Sequence, residues 1–172
     1  HSPEEQILLK ASQEVVRAGY PHLLIIAPRH SNRSQDIARL IPQAAHRSKN
    51  QLPLLGDNHF LADSFGEMSS LVTAADIVIL GGSFVPKGGH NPLEIAALST
   101  PLITGPSQFK NKVEFDALQQ YGQCIIVKDG AALVKQLIIW LEALRTDGRA
   151  LPQDNLDKAC AYVKQACERP IK

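Results

Sequence analysis

From Gly81 to Glu94 the chain reads Gly-Gly-Ser-Phe-Val-Pro-Lys-Gly-Gly-His-Asn-Pro-Leu-Glu, directly after the apolar run Asp76-Ile-Val-Ile-Leu80. Asn is a strong helix N-cap and Pro suits the first helical position. A Glu three residues after the cap can bond back to the cap's own N–H. The spacing therefore predicts a strand, a glycine-rich loop and a helix N-terminus. Glycines let backbone approach a ligand closely, and unpaired N–H groups at a helix start favour an anion, so a phosphate is the natural occupant. The residues alone leave a second reading open, in which the glycines only make an awkward turn and Glu94 only caps.

Other groups could serve the same chemistry. Arg29, in Pro28-Arg29-His30 after the apolar run Leu23–Ala27, can grip a phosphate or carboxylate through two parallel hydrogen bonds. It could equally pair with a neighbouring acid, and His30 reads as an ordinary surface histidine. Ser64-Phe-Gly-Glu67 has the spacing of a second capping box, with Gly66 leaving the first turn uncluttered. His90 could donate to a phosphate oxygen. Glu94 could accept from the two hydroxyls of a ribose, a task that suits a carboxylate. Lys87 reads as solvated, and Ser107, Gln108, Asn111 and Lys112 form a polar loop whose task the residues do not settle. Hydrolase elbows, H-E-x-x-H and the G-x-x-x-x-G-K-[ST] loop are missing from the sequence, and no G-x-G-x-x-G opens the first helix.

The elements that must position these groups alternate. Helical apolar spacing covers Glu4 to Arg17 through Ile7, Leu8, Ala11, Val15 and Val16; residues 34–45; Met68 to Ala74; Pro92 to Leu98; Lys112 to Tyr121; Ala131 to Leu144; and Asn155 to Cys167. Between them lie strand-like runs at Leu23–Ala27, Asp76–Leu80, Leu102–Thr104 and Cys124–Val127, with one or two short strands from His46 to Ala62 around a Pro53 and Gly56 turn. Strands this apolar have no wet face. The pattern is α/β, a Rossmann-like parallel sheet between helices, with ligands beyond the carboxyl ends of the strands.

Bulk properties narrow the class. The 172 residues suit a single domain over 1–172, and 44% hydrophobic with 20% charged residues is ordinary globular composition. Lys and Arg total 18 against 17 acids, which offers no footprint for nucleic acid or a polybasic membrane patch. No apolar run reaches the roughly 20 residues a membrane span needs, and no signal peptide is recognised. Cys124, Cys160 and Cys167 lack metal-site spacing. The last two, seven apart, read as packing, which suits a reducing cytosolic setting. The chain starts at His1 without an initiator Met and reads as an excised domain.

Taken together, Gly81 to Glu94 resembles the G-G-S-x-x-x-x-G-G-H-N-x-x-E segment of the bacterial 3-deoxy-D-manno-octulosonic acid (Kdo) transferases. Pro28-Arg29-His30 is similar to their P-R-H. Gly56-Asp57 and Asp63–Glu67 resemble their G-D-T-x-G-E, the second with Ser for Thr and no preceding Gly. His1–Glu5 resembles their S-T-H-x-G-E-E start, with Pro3 for Gly. The resemblance runs to about residue 145.

It implies the C-terminal, donor-binding half of a GT-B glycosyltransferase, with the N-terminal acceptor domain absent from this chain. The family transfers Kdo from CMP-Kdo to a lipid A precursor with inversion, at the cytoplasmic face of the bacterial inner membrane. No metal or other cofactor is implied. The base lies in the missing half, so no catalytic residue falls here, and the isolated 172-residue chain is expected to bind CMP weakly and transfer nothing. Carried over, Arg29 meets the CMP phosphate or the donor's charge, and Ser64, Gly66 and Glu67 line the nucleotide pocket. Gly88, Gly89 and His90 cradle the phosphate, Asn91 caps the helix and borders the donor, and Glu94 binds the ribose. Acceptor and membrane contact fall to the missing half. The rival readings are a donor domain of a UDP-sugar transferase or epimerase, and a non-catalytic nucleotide-binding module.

Overall fold

The computed structural model describes residues 3–147. The expected helix from Asn155 to Cys167, with Cys160 and Cys167, lies outside the described residues. Twelve elements follow in order: α1 (Glu4–Arg17), β1 (Leu24–Ile26), α2 (Ser34–Leu40), β2 (Ala45–His46), β3 (His59–Leu61), α3 (Met68–Ala74), β4 (Val78–Leu80), α4 (Leu93–Ala96), β5 (Leu102–Thr104), α5 (Lys112–Gln120), β6 (Cys124–Ile126) and α6 (Gly130–Thr146). Short 3-10 turns at Ser31–Arg33 and Arg47–Lys49 complete them.

The chain divides into two compact units. Among the described residues one takes 3–15 and 75–139, the other 16–74 and 140–147. The first holds a three-stranded parallel sheet ordered β4-β5-β6. Its central strand is buried at every position, as an apolar run covered on both faces must be. Ile95 of α4, Phe115 and Leu118 of α5, and Leu133 and Leu137 of α6 are also buried.

The second unit holds a parallel sheet ordered β1-β3-β2, with Ile26 and His46 both in register with Leu61. Phe60, Ala62 and Leu71 form a cluster there, against which Leu23, Ile25, Ala27, Ala45 and Leu52 pack. Parallel register sends the segments after β1, β2 and β3 out of one edge of this sheet. The segments after β4, β5 and β6 likewise leave one edge of the other.

Three expectations need correction. The helix expected over residues 34–45 ends at Leu40 because Pro42 follows: Ile41 is pushed out of the helical region, to φ −130° and ψ 61°. The chain then enters β2. The helix expected over Pro92 to Leu98 is the four residues of α4, continued by turns to Ser99, which sits at φ +57°. In α1 the buried face is Glu4, Glu5, Leu9, Ala11, Ser12 and Val15, so two acids lie where Ile7 and Leu8 were expected.

Candidate functional site

The residues expected to meet a ligand divide between the units: Gly88, Gly89, His90, Asn91 and Glu94 belong to the first, and Arg29, Ser64, Gly66 and Glu67 to the second.

In the first unit the loop from Gly81 to Asn91 closes on itself. The Gly89 N–H donates to the Gly82 carbonyl at 2.8 Å, and the His90 N–H to the Gly81 carbonyl at 3.2 Å. Gly88 and Gly89 adopt φ of +87° and +71°, a conformation that suits glycine. A β-carbon on Gly88 would also stand 2.6 Å from Lys110 Cγ. The loop after β5 locks this pair from outside. The Gly88 N–H donates to Ser107 Oγ at 3.0 Å, Asn111 Nδ2 donates to the Gly89 carbonyl at 3.1 Å, and the Lys110 N–H to the Gly88 carbonyl at 3.3 Å.

Ser83, wholly buried, ties the two loops together. Its hydroxyl donates to the Leu80 carbonyl at 2.7 Å and accepts from the Gly105 N–H at 2.8 Å, while its carbonyl accepts from the Ser107 N–H at 2.9 Å. Gly105 is required by this contact, since a β-carbon there would lie 2.5 Å from the Ser83 carbonyl oxygen.

Two parts of the sequence argument change here. The N–H groups of Gly88, Gly89 and His90 are already engaged within the protein, so a phosphate at this loop meets side chains before backbone donors. The helix after the loop has only four residues, too few for a sizeable macrodipole. Asn91 does act at its start, its Oδ1 accepting from the Leu93 N–H at 3.0 Å. Glu94 does not close the expected capping box: its exposed carboxylate makes no bond among the described residues, and Pro92 before it is buried. His90 is half-buried beside Gly81.

In the second unit the Ser64–Glu67 capping box does not form, because α3 starts only at Met68. Residues 64–67 are instead a turn, with Gly66 at φ +85°. Glu67 takes Arg47 in a forked pair: Nη2 to Oε1 at 2.8 Å, and Nε to both carboxylate oxygens at 3.1 Å. The two side chains are only 21% and 11% exposed. The Ser64 hydroxyl donates to the same carboxylate. Burial pushes the Glu67 carboxyl up, but the bonds from Arg47 and Ser64 and the Arg47 charge outweigh it and hold the group below the usual carboxylate range. Asp63 fixes the turn carrying Arg47, accepting from the Ser48 N–H at 2.8 Å and its hydroxyl at 2.7 Å. Arg29 is exposed just past β1, at the sheet edge that also carries Arg47 and Glu67.

Sequence reasoning held Glu4, Ser83 and Asp63 only as members of the resembling segments, with no task assigned, and did not single out Arg47. The polar loop at Ser107 and Asn111 was visible, but its task as a clamp on Gly88 and Gly89 was not. Nothing local in the sequence announces Arg47, whose partner lies 20 residues away. Among the described residues no three His, Cys, Asp or Glu side chains gather as a metal site, and no helix is long and apolar enough to cross a membrane.

No protein-family model matches the chain. The 3-deoxy-D-manno-octulosonic acid transferase of Haemophilus influenzae is 41% identical over 114 residues, 63% of this chain and 26% of that protein. The transferase of the same name from Rickettsia bellii is 35% identical over 141 residues, 80% of this chain and 34% of that protein. The chain thus spans about a quarter to a third of the length of these curated relatives. Among solved structures, the C-terminal CMP-Kdo binding domain of WaaA from Acinetobacter baumannii superposes with a TM-score of 0.74 at 26% identity, over 98% of this chain and 86% of that one.

Proposed function

We propose that this chain, a member of the 3-deoxy-D-manno-octulosonic acid transferase family, binds CMP-Kdo and serves as the donor-binding part of an inverting glycosyltransferase. The observation that carries the reading is the likeness, over nearly the whole chain, to the C-terminal CMP-Kdo binding domain of WaaA. The locked Gly81–Asn91 loop and the sequence relatives support it independently.

Roles follow from what each group can do. In the first unit, Gly88 and Gly89, buried against Lys110, Phe109 and Phe115, shape the cradle that carries His90 to the phosphate. His90 donates to that phosphate, Asn91 borders the donor, and Glu94, with no partner among the described residues, accepts from the ribose hydroxyls. In the second unit, Arg29 supplies a cation, while Ser64, Gly66 and Glu67 form a turn stiffened by Arg47 that contacts the nucleotide. As the bond from Kdo to CMP breaks, negative charge grows on the phosphate. Donors already held in place stabilise it without reorganising. In this proposal no metal takes part, and the base and the acceptor site belong to the rest of the longer enzyme. That enzyme passes Kdo to a lipid A precursor at the cytoplasmic face of a Gram-negative inner membrane.

The test is a CMP titration followed through backbone amide resonances. Saturable shifts are expected at Gly66 and from Gly88 to Glu94. Shifts confined to other parts of the chain would defeat the residue assignment.

A further inference from the structure

The loop's deepest N–H groups are occupied by the protein itself. Glu4, in the first turn of α1 and only 2% exposed, lays its carboxylate against three successive amides: Gly82 N–H to Oε2 at 2.8 Å, and Ser83 and Phe84 N–H to Oε1, each at 3.0 Å. Gly82 is at φ +73°. Successive N–H groups around a left-handed residue form a concavity that takes an anion, as phosphate-binding loops do. Here the anion is a side chain from almost 80 residues earlier.

We propose that Glu4 is a positioning residue: a resident anion that fills this amide nest and sets the geometry of the Gly81–Asn91 loop, leaving the ligand's phosphate to bind at the His90 side of that loop. The second clause rests on the CMP-Kdo reading, while the first does not.

The connection runs through consecutive contacts. The carboxylate fixes the backbone from Gly82 to Phe84. The carbonyls of Gly81 and Gly82, at the base of the same turn, receive the N–H groups of His90 and Gly89. A β-carbon placed on Gly81 would touch Glu4 Oε2 at 3.5 Å and the His90 ring at 3.8 Å, so acid and imidazole flank the same residue. Ser83, gripped through its N–H by Glu4, carries the constraint to Gly105 and Ser107, and Ser107 holds Gly88. A second anion cannot share the nest, because two like charges at that separation in a buried site oppose one another. A carboxylate can accept all three N–H bonds. The carboxamide of Gln has a single acceptor oxygen and would leave at least one of them unpaired.

The experiment uses the whole chain with Glu4→Gln and Glu4→Ala, and reads hydrogen exchange at each amide by NMR. In E4Q, exchange at Gly82, Ser83 and Phe84 should rise by roughly tenfold or more, while Phe60 and Leu61 of β3 keep their protection, since only the local opening free energy changes. In E4A, sodium formate at about 100 mM should restore protection at the three amides by re-entering the nest, and sodium chloride at equal ionic strength should not. Unchanged exchange at the three amides in E4Q, equal acceleration throughout the chain, or no recovery with formate would each overturn the proposal. CMP affinity separates this inference from the reading of function. If the unsubstituted chain binds CMP, E4Q should weaken it and formate should recover it in E4A, and undiminished affinity in E4Q would remove the positioning role. If the unsubstituted chain shows no CMP binding at all, the functional reading falls, and the amide data still decide whether Glu4 holds the loop.

Discussion

Arg47 and Glu67 form a forked ion pair, and its geometry fixes what losing it costs. Three N–H bonds at 2.8 to 3.1 Å join two side chains that are largely buried. Truncating one leaves the other desolvated and unpaired. Arg47→Ala should lower unfolding free energy by about 2–3 kcal/mol, measured by urea denaturation; a change within about 0.5 kcal/mol would mean the pair behaves as an ordinary surface ion pair. The sign of its pH dependence follows from Glu67. With the folded-state pKa held below the usual carboxylate range, the pair's contribution is complete above that range and is lost as pH falls through the folded value. At this scale the sequence was half legible. Glu67 stood out by its spacing from Ser64, but the spacing suggested a cap, whereas tertiary structure gave the carboxylate to an arginine that no local pattern could connect to it.

At the scale of elements, two loops meet backbone to backbone after β4 and β5, and Gly105 makes the meeting possible. Gly105→Ala would press a methyl against the Ser83 carbonyl, and about 2–3 kcal/mol of destabilisation is expected in thermal unfolding, the usual cost of overpacking a site with rigid neighbours. A neutral result would show that the loops part easily. β3 carries a different liability. His59 is lowered in pKa first by burial and then by the charge of His22, itself lowered chiefly by burial, and His59 Nε2 has no partner among the described residues. Below about pH 6.5 the unfolded chain takes up protons that the folded one resists, so stability falls as acid is added. His59→Phe should flatten the decline of melting temperature between pH 7 and 5; an equally steep acid limb would assign that decline to other groups. Element order was well legible, since α1, α3 and β5 lie where periodicity put them. The helix over 34–45 failed at Pro42, a breaker plain in the sequence. That after Asn91 failed because turns to Ser99 replace its second half, which apolar spacing cannot reveal.

For the whole molecule, the alternation of apolar runs and helical stripes announced a parallel sheet between helices, which the structure has as two three-stranded parallel sheets. The motif resemblance announced the family, which the comparisons match. What no local pattern gave is how the glycine loop is held. The amides of Gly82, Ser83 and Phe84 are held by Glu4 and that of Gly88 by Ser107, through contacts distant in sequence. Those of Gly89 and His90 bond the loop's own carbonyls. In the proposed reading a ligand meets a loop already held by these bonds, and little of its binding energy should be spent on ordering it. The central claim is that this surface serves a cytidine nucleotide. Calorimetric titration of the chain with CMP and with UDP tests it most directly. The account predicts saturable binding of CMP, at least tenfold tighter than UDP, a difference of about 1.4 kcal/mol. Equal or tighter binding of UDP would contradict it.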